Sequence, residues 1–346
     1  SEMCIRDRSS MKKFAYIMLL FVPLFFSSYA SASEVNIYSY RQPFLIEPLT
    51  TAFTNKTGIK VNTVYLRKGM IERMKAEGKR SPADVVLTVD ISRLSALVEA
   101  GLTQQVNSDQ LSRNVPSKYR DPAGHWFGLT TRARIIYASN ERVKIGEIVK
   151  YEELADPKWK GRICIRSGLN AYNLALTSAI IHHHGEDYAI EWLKGLKKNL
   201  ARKPQGNDRA QVKAIWAGEC DLSIGNTYYM GKMLKDPEQT DWAKSVNIVF
   251  PTFENGGTHV NVSGIGMAKF SPNKDNALKL MEFLSSGEAQ EIYATANFEY
   301  PIAPGTQVDD LVKSWGDFDA DSVNLMTIAK LRKRALELTE IVDFDG

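Results

Sequence analysis

The chain has 346 residues, with 44 Lys and Arg against 40 Asp and Glu and a formal net charge of +4 at pH 7, a balance that argues against a nucleic-acid partner. Its length exceeds one compact core, at roughly 100–200 residues per domain, and points to two lobes.

At the N-terminus, SEMCIRDRSS has no hydrophobic period and precedes a second start at Met11, so it is set aside from the fold. From Met11 the chain reads MKK, an apolar run over 14–26, then small residues ending Ala30, Ser31, Ala32. This is the three-part pattern of a secretory signal peptide. The run falls short of the ~20 residues that span a bilayer, which leaves no stable membrane insertion, and no cysteine stands at the cleavage point to take a lipid. A mature, soluble protein starting near Ser33 is expected outside the cytoplasm. Loss of residues 1–32 removes Arg6, Arg8, Lys12 and Lys13 with Glu2 and Asp7, so the formal charge falls from +4 to +2.

The mature chain opens with a strand at EVNIYSY, a helix over 45–56 closed by Gly58, and a strand at IKVNTVYL. A helix over 69–77 follows, then SPADVVLTVD, whose VVL suits a strand buried on both faces, and a helix over 91–100. This alternation predicts an α/β fold with parallel sheets flanked by helices. WFGLTTRARIIYAS reads as a long crossing strand. GRICIRS is a strand, 171–184, 187–198 and 210–217 are helices, and CDLSIG is a strand leading to a helix near Tyr228. THVNVSGIGMAKF is a return crossing, followed by helices over 274–284, 288–295 and 321–339. The predicted lobes are 33–131 plus 257–305 and 132–256 plus 306–346, joined by hinge strands, with a ligand cleft beyond the carboxyl ends of the strands.

Enzyme signatures such as H-E-x-x-H, a Walker A loop and G-x-S-x-G are absent, so no enzymatic activity is expected. GIGMAK lacks the third glycine of a dinucleotide fingerprint and is better explained as a bend in a crossing strand. His182, His183 and His184 end a helix at Gly185, where the helix dipole favours them, and consecutive helical residues splay too far to chelate one ion. Once Cys4 is set aside, Cys164 and Cys220 remain, and an even pair in an oxidising compartment is most simply a disulfide, two buried free thiols being the alternative. Each lies eight residues before a tyrosine, Tyr172 and Tyr228.

Thr227 is positioned to cap a helix beginning at Tyr228 and Tyr229, and Tyr172 holds the equivalent place after the earlier strand. Three phenols then meet at two strand-to-helix junctions. The same spacing fits aromatics packing a cleft wall. As ligands, phenols titrating near pH ~10 need a strong Lewis acid to displace their protons, which favours ferric iron over zinc or calcium. Arg132 and Arg134, two apart on one strand face, together with Gln42 can hold a small dianion such as carbonate in the open coordination positions; surface or hinge ion pairing is the alternative for the arginines.

YSYRQPFLIEP, SPADVVLTVDISRL, WFGLTTRAR, DPKWKG, ARKPQGNDRAQVKAI, CDLSIGNTYYMGKM, GTHVNVSG and NFEYPI together resemble the periplasmic ferric-ion-binding proteins of bacterial iron ABC transporters, over nearly the whole mature chain. The resemblance implies a two-lobed type II periplasmic-binding-protein fold, closure around one Fe(III), and delivery to a membrane permease with its ATPase by a monomeric carrier. It implies Tyr172, Tyr228 and Tyr229 as metal ligands and Arg132 as the anion holder. One branch carries a His-Tyr pair where this chain has Gln42-Pro43, so the match is closer to the carbonate-using three-tyrosine branch. Asp90, near an acidic ligand of another branch, reads as a helix cap. The alternative is the same fold holding an organic cation or an oxyanion, such as thiamine, a polyamine or phosphate.

Overall fold

The structure, a computed structural model, describes residues 33–346. The expected signal peptide and Cys4 lie outside the described residues. Strands β1 (Glu34–Ser39) and β2 (Lys60–Tyr65) pair in parallel, and β3 (Val85–Thr88), buried throughout, joins β1 on its other side. The helix Pro43–Thr57 links the first two. Pro43 is tolerated at its first position because that N–H has no helical acceptor, and Gly58, at φ 73°, closes it. Leu45, Ile46, Leu49 and Phe53 form its buried face.

The remaining strands are β4 (Thr103–Gln104), β5 (Phe127–Ser139), β6 (Ile163–Cys164), β7 (Leu222–Asn226), β8 (Val246–Val249), β9 (Val260–Ala268) and β10 (Tyr300–Pro301). The order through the sheet is β2-β1-β3-β9-β5-β7-β6. Parallel pairing, expected for both sheets, is found at the two ends, in β2-β1-β3 and in β7-β6. The middle is antiparallel because the chain leaves the first half along β5 and returns along β9.

The changeover is sharp. Phe127 to Ala133 of β5 pair with β9, whereas Arg134 to Ala138 pair with β7. All 13 residues of β5 are buried, so its polar side chains need internal partners. Gly264 and Gly266 of β9 let the backbones approach: a Cβ there would lie 2.7 Å from the Phe127 and His125 carbonyl oxygens, respectively. The glycines of GIGMAK therefore serve strand packing.

Two elements differ from expectation. GRICIRS yields only the two residues of β6, because the Ile163 and Ile165 carbonyls accept from Ala201 and Gln205 N–H groups in a loop. The C-terminal stretch forms two helices, Leu325–Lys330 and Arg332–Ile341, meeting at Leu331. Asp321 stays outside both, held by the Gly257 N–H at 3.2 Å and by His183.

Cys164 and Cys220 are disulfide-bonded, with Cα atoms 5.9 Å apart and a separation of 56 positions in sequence. The bond lies where β6 meets β7, at the base of both tyrosine junctions. Closing a loop of that length restricts the unfolded chain by ~4 kcal/mol in the chain-entropy account. Replacing both cysteines by serine is expected to lower stability by ~2–4 kcal/mol in urea unfolding; an unchanged midpoint would show that the staple contributes nothing.

Candidate functional site

After β6, the Asn170 side chain accepts from the Tyr172 N–H at 3.0 Å and starts the helix Ala171–His184, with Tyr172 in its first turn. After β7, the helix Tyr228–Leu234 starts at once. Thr227, expected to cap it, does not: its hydroxyl accepts from the Ala133 N–H at 3.2 Å and ties the junction to β5.

The two junctions bring the phenols together. Tyr228 Oη donates to Tyr172 Oη at 3.4 Å and accepts from Asn226 Nδ2 at 3.3 Å, and the Tyr228 and Tyr229 rings lie 4.4 Å apart. Tyr228 is buried, while Tyr172 and Tyr229 are half-buried and face a cleft of about 400 Å³. Its other wall is the start of the helix Ile91–Glu99, where Asp90 caps by accepting from the Arg93 N–H at 2.9 Å.

Beneath the phenols sits Arg134. Its Nη1 donates to Asp208 Oδ2 at 2.5 Å and to Asn226 Oδ1 at 3.1 Å, and its Nη2 donates to Asn173 Oδ1 at 2.6 Å. Asp208 also accepts from the Asn226 N–H at 3.0 Å and from Arg166 Nη1 at 3.2 Å. Both Arg134 Nη atoms are thus taken up by structure, and its Nε alone lacks a partner.

Arg132, also buried, leans the other way. Nη1 reaches Glu299 Oε1 at 3.3 Å, Nη2 donates to the Val89 carbonyl, and Nε has no partner. Glu299 is fully buried and also accepts from Arg41 Nη2 at 2.9 Å. Gln42 is exposed at the start of the helix Pro43–Thr57, and its side chain makes no hydrogen bond among the described residues. Arg132 is thus tied to Glu299 and Val89, with its charge acting on Tyr228, and Gln42 makes no hydrogen bond to the phenols.

Cations crowd the phenols. Arg134 and Arg166 stand 5.6 and 5.5 Å from the Tyr172 ring centroid, Arg209 5.9 Å from that of Tyr229, and Lys232 5.0 Å from that of Tyr228. Burial, then the neighbouring Tyr172 and Tyr229, push the Tyr228 phenol well above its usual range, against the pull of Arg132. Burial and then Asp208 push Tyr229 up as well. Burial, then Arg41, lowers Lys232. Glu299 is held below the usual carboxylate range: burial opposes this, but Arg41 and Arg132 outweigh it.

Arg41, Asp208, Glu299, Arg166 and Lys232 escape sequence reasoning. Nothing in linear order pairs Arg41 with a residue 258 positions away, although Arg41, Asp208 and Glu299 fall inside the motifs YSYRQP, GNDRAQ and NFEYPI. The three histidines do not converge. His183 Nε2 lies 2.7 Å from Asp321 Oδ2, and His184 Nε2 lies 2.7 Å from Glu152 Oε1.

A family model for bacterial extracellular solute-binding proteins matches residues 80–319. Iron uptake protein A1 of Synechocystis sp. is 47% identical over 295 residues, covering 84% of this chain and 82% of its own. Among solved structures, the ferric iron-binding protein A of Mannheimia haemolytica, in an open conformation, superposes with a TM-score of 0.88 at 52% identity over 91% of this chain and all of its own. A Trichodesmium protein solved with iron and citrate ligands gives 0.87 at 42% identity over 90% of this chain and all of its own. These relatives are binding proteins, not enzymes, and their shared two-lobed α/β architecture is the one described above. The chain belongs to the bacterial extracellular solute-binding proteins, within their periplasmic ferric-binding and iron uptake branch.

Proposed function

We propose that this protein captures ferric iron in the periplasm through the phenolates of Tyr172, Tyr228 and Tyr229 and delivers it to an ABC importer, a permease with its ATPase. The observation that carries this reading is the meeting of three phenols, with the Tyr228 and Tyr172 hydroxyls 3.4 Å apart and Tyr172 and Tyr229 facing a cleft rich in cations and poor in free carboxylates. An organic cation would be repelled by Arg132, Arg166, Arg209 and Lys232. A bare oxyanion would suit the cations but would leave three adjacent phenols without a role.

Three phenolates balance the charge of Fe(III), and a carbonate dianion completes the shell. Arg132, whose Nε is unpartnered and whose charge acts on Tyr228, is the proposed holder of that anion. Gln42, exposed and free to turn, joins it when the halves 33–131 plus 257–305 and 132–256 plus 306–346 close about β5 and β9. Export uses a signal peptide ending at Ala32. Arg166, on the cleft wall beside Tyr172, adds positive charge for the anion.

Adding Fe(III) in bicarbonate is expected to produce a visible phenolate-to-iron charge-transfer band at one equivalent. Tyr228→Phe should weaken binding by ~2–5 kcal/mol, the usual loss on truncating one partner of a buried charged pair. An absent band, or an unchanged affinity in Tyr228→Phe, removes the iron reading. A titration unaffected by removing bicarbonate removes carbonate alone.

The raised phenols set the pH dependence. A phenol ordinarily titrates near pH ~10, and Tyr228 and Tyr229 are pushed higher, so each phenolate formed at pH 7 releases a proton. A titration in a weak buffer should register about four protons per iron, three from the tyrosines and one from bicarbonate bound as carbonate, with affinity falling as pH drops from 7 to 5.5. A pH-independent affinity would contradict ligation by phenolate.

Gly231 lies against the Phe298 ring so closely that a Cβ would overlap it. Gly231→Ala should therefore shift the helix Tyr228–Leu234 and lower iron affinity at least tenfold, while the thermal melt of the iron-free protein moves by only a few degrees. Retained affinity would mean that the helix position does not set the phenol geometry.

A further inference from the structure

Away from the tyrosine cleft, three side chains meet from three separate segments. Glu152 opens the short turn Glu152–Ala155, His184 is the last residue of the helix Ala171–His184, and Glu254 follows Phe253 in the loop between β8 and β9. One ligand atom from each lies within 4.8 Å of the others. His184 Nε2 is 2.7 Å from Glu152 Oε1, which also accepts from the Glu254 N–H at 3.0 Å. The Glu152 side chain is only 4% exposed, and its second oxygen, Oε2, is buried with no hydrogen-bond partner. Among the described residues, no Lys or Arg pairs with Glu152 or Glu254.

A buried carboxylate oxygen without a partner is costly, and a second carboxylate close by adds repulsion that one histidine does not fully offset. A divalent cation resolves both. We propose that Glu152, His184 and Glu254 form a second metal site, for a divalent cation of the zinc class. One imidazole and two carboxylates match the ligands zinc accepts, whereas the imidazole disfavours magnesium and calcium, which take oxygen. Two carboxylates cancel the ion's charge, and a fourth position stays open to water. Zn²⁺ takes Nε2 of the imidazole tautomer that carries its proton on Nδ1, and the separation of Nε2 from the carboxylate oxygen widens to about 3.3 Å, as tetrahedral bonds near 2.0–2.1 Å require. The Tyr188 ring, stacked on His184 at 4.1 Å, holds the imidazole plane. Glu254, exposed, closes onto the ion.

The site owes nothing to the tyrosines, so the proposal stands apart from iron capture. The test is calorimetric titration of the chelator-stripped full chain with Zn²⁺ alone. Wild type and Tyr228→Phe should each bind one equivalent, and H184Q and E254Q should bind at least tenfold more weakly. E254Q alters an exposed side chain, and its unchanged ferric-ion titration or, should iron not bind, its unchanged thermal melt certifies the fold. The proposal is overturned by the absence of a stoichiometric Zn²⁺ site, by wild-type affinity in either variant, or by loss of Zn²⁺ binding in Tyr228→Phe.

Discussion

The buried ion pair between Arg134 and Asp208 fixes both tyrosine junctions at once. Through Asn173 it holds the helix that carries Tyr172, and through Asn226 it holds the strand that delivers Tyr228 and Tyr229. Removing either charge would leave the other buried and unpaired, at ~3–5 kcal/mol, and would release the two phenol-bearing segments from each other. Arg134 sits where β5 stops pairing with β9 and begins pairing with β7, so this pair also locks the changeover between the two halves of the sheet. The polar content of β5, unusual for a strand buried along its length, is accounted for by this role and by the matching pair of Arg132 with Glu299.

The electrostatics have two opposing parts. Nearby guanidinium groups favour phenolate, yet burial prevails and Tyr228 stays a neutral phenol well above its usual titration range. The surrounding cations oppose any metal ion, the more so the higher its charge, and the protons on the raised tyrosines must be displaced before a metal is held there. Under the proposed ligation, an ion acidic enough to drive off several protons meets the second demand and an accompanying anion offsets the first, so the raised phenols would act as a selectivity device. The same positive surroundings that oppose an incoming cation would hold the proposed anion.

Local chemistry was legible in the sequence, and long-range pairing was not. The helix Ala171–His184 ends where its sequence signals say, because Asn170 caps one end and Gly185, at φ 86°, stops the other. Hydrophobic runs located β1, β3, β5 and β9, since buried strands need continuous apolar or internally paired residues. The long C-terminal helix was overestimated because its periodicity continues across Leu331 although the backbone turns there. The role of Arg134 was hidden for a different reason: strand alternation shows that Arg132 and Arg134 share a face, but not that Asp208, 74 residues on, lies opposite one of them and Glu299, 167 residues on, opposite the other. Thr227 illustrates the same limit, its hydroxyl being claimed by Ala133 across 94 residues instead of by its own helix.

One helix links the phenol cluster to the proposed second metal site. Tyr172 stands in the first turn of Ala171–His184 and His184 at its end, twelve residues on, which at 1.5 Å per residue is about 18 Å along the axis. That exceeds the ~8 Å screening length at physiological ionic strength, so charge at one end is weakly felt at the other. Mechanical linkage is stronger. Every residue from Asn173 to Ile181 is buried, and the helix is gripped at its start by Asn170 and Arg134 and at its end by Glu152 and Asp321. An ion joining His184 to Glu152 and Glu254 would therefore act on Tyr172 by stiffening the shared helix, leaving the electrostatic balance of the phenol cluster to the residues around it.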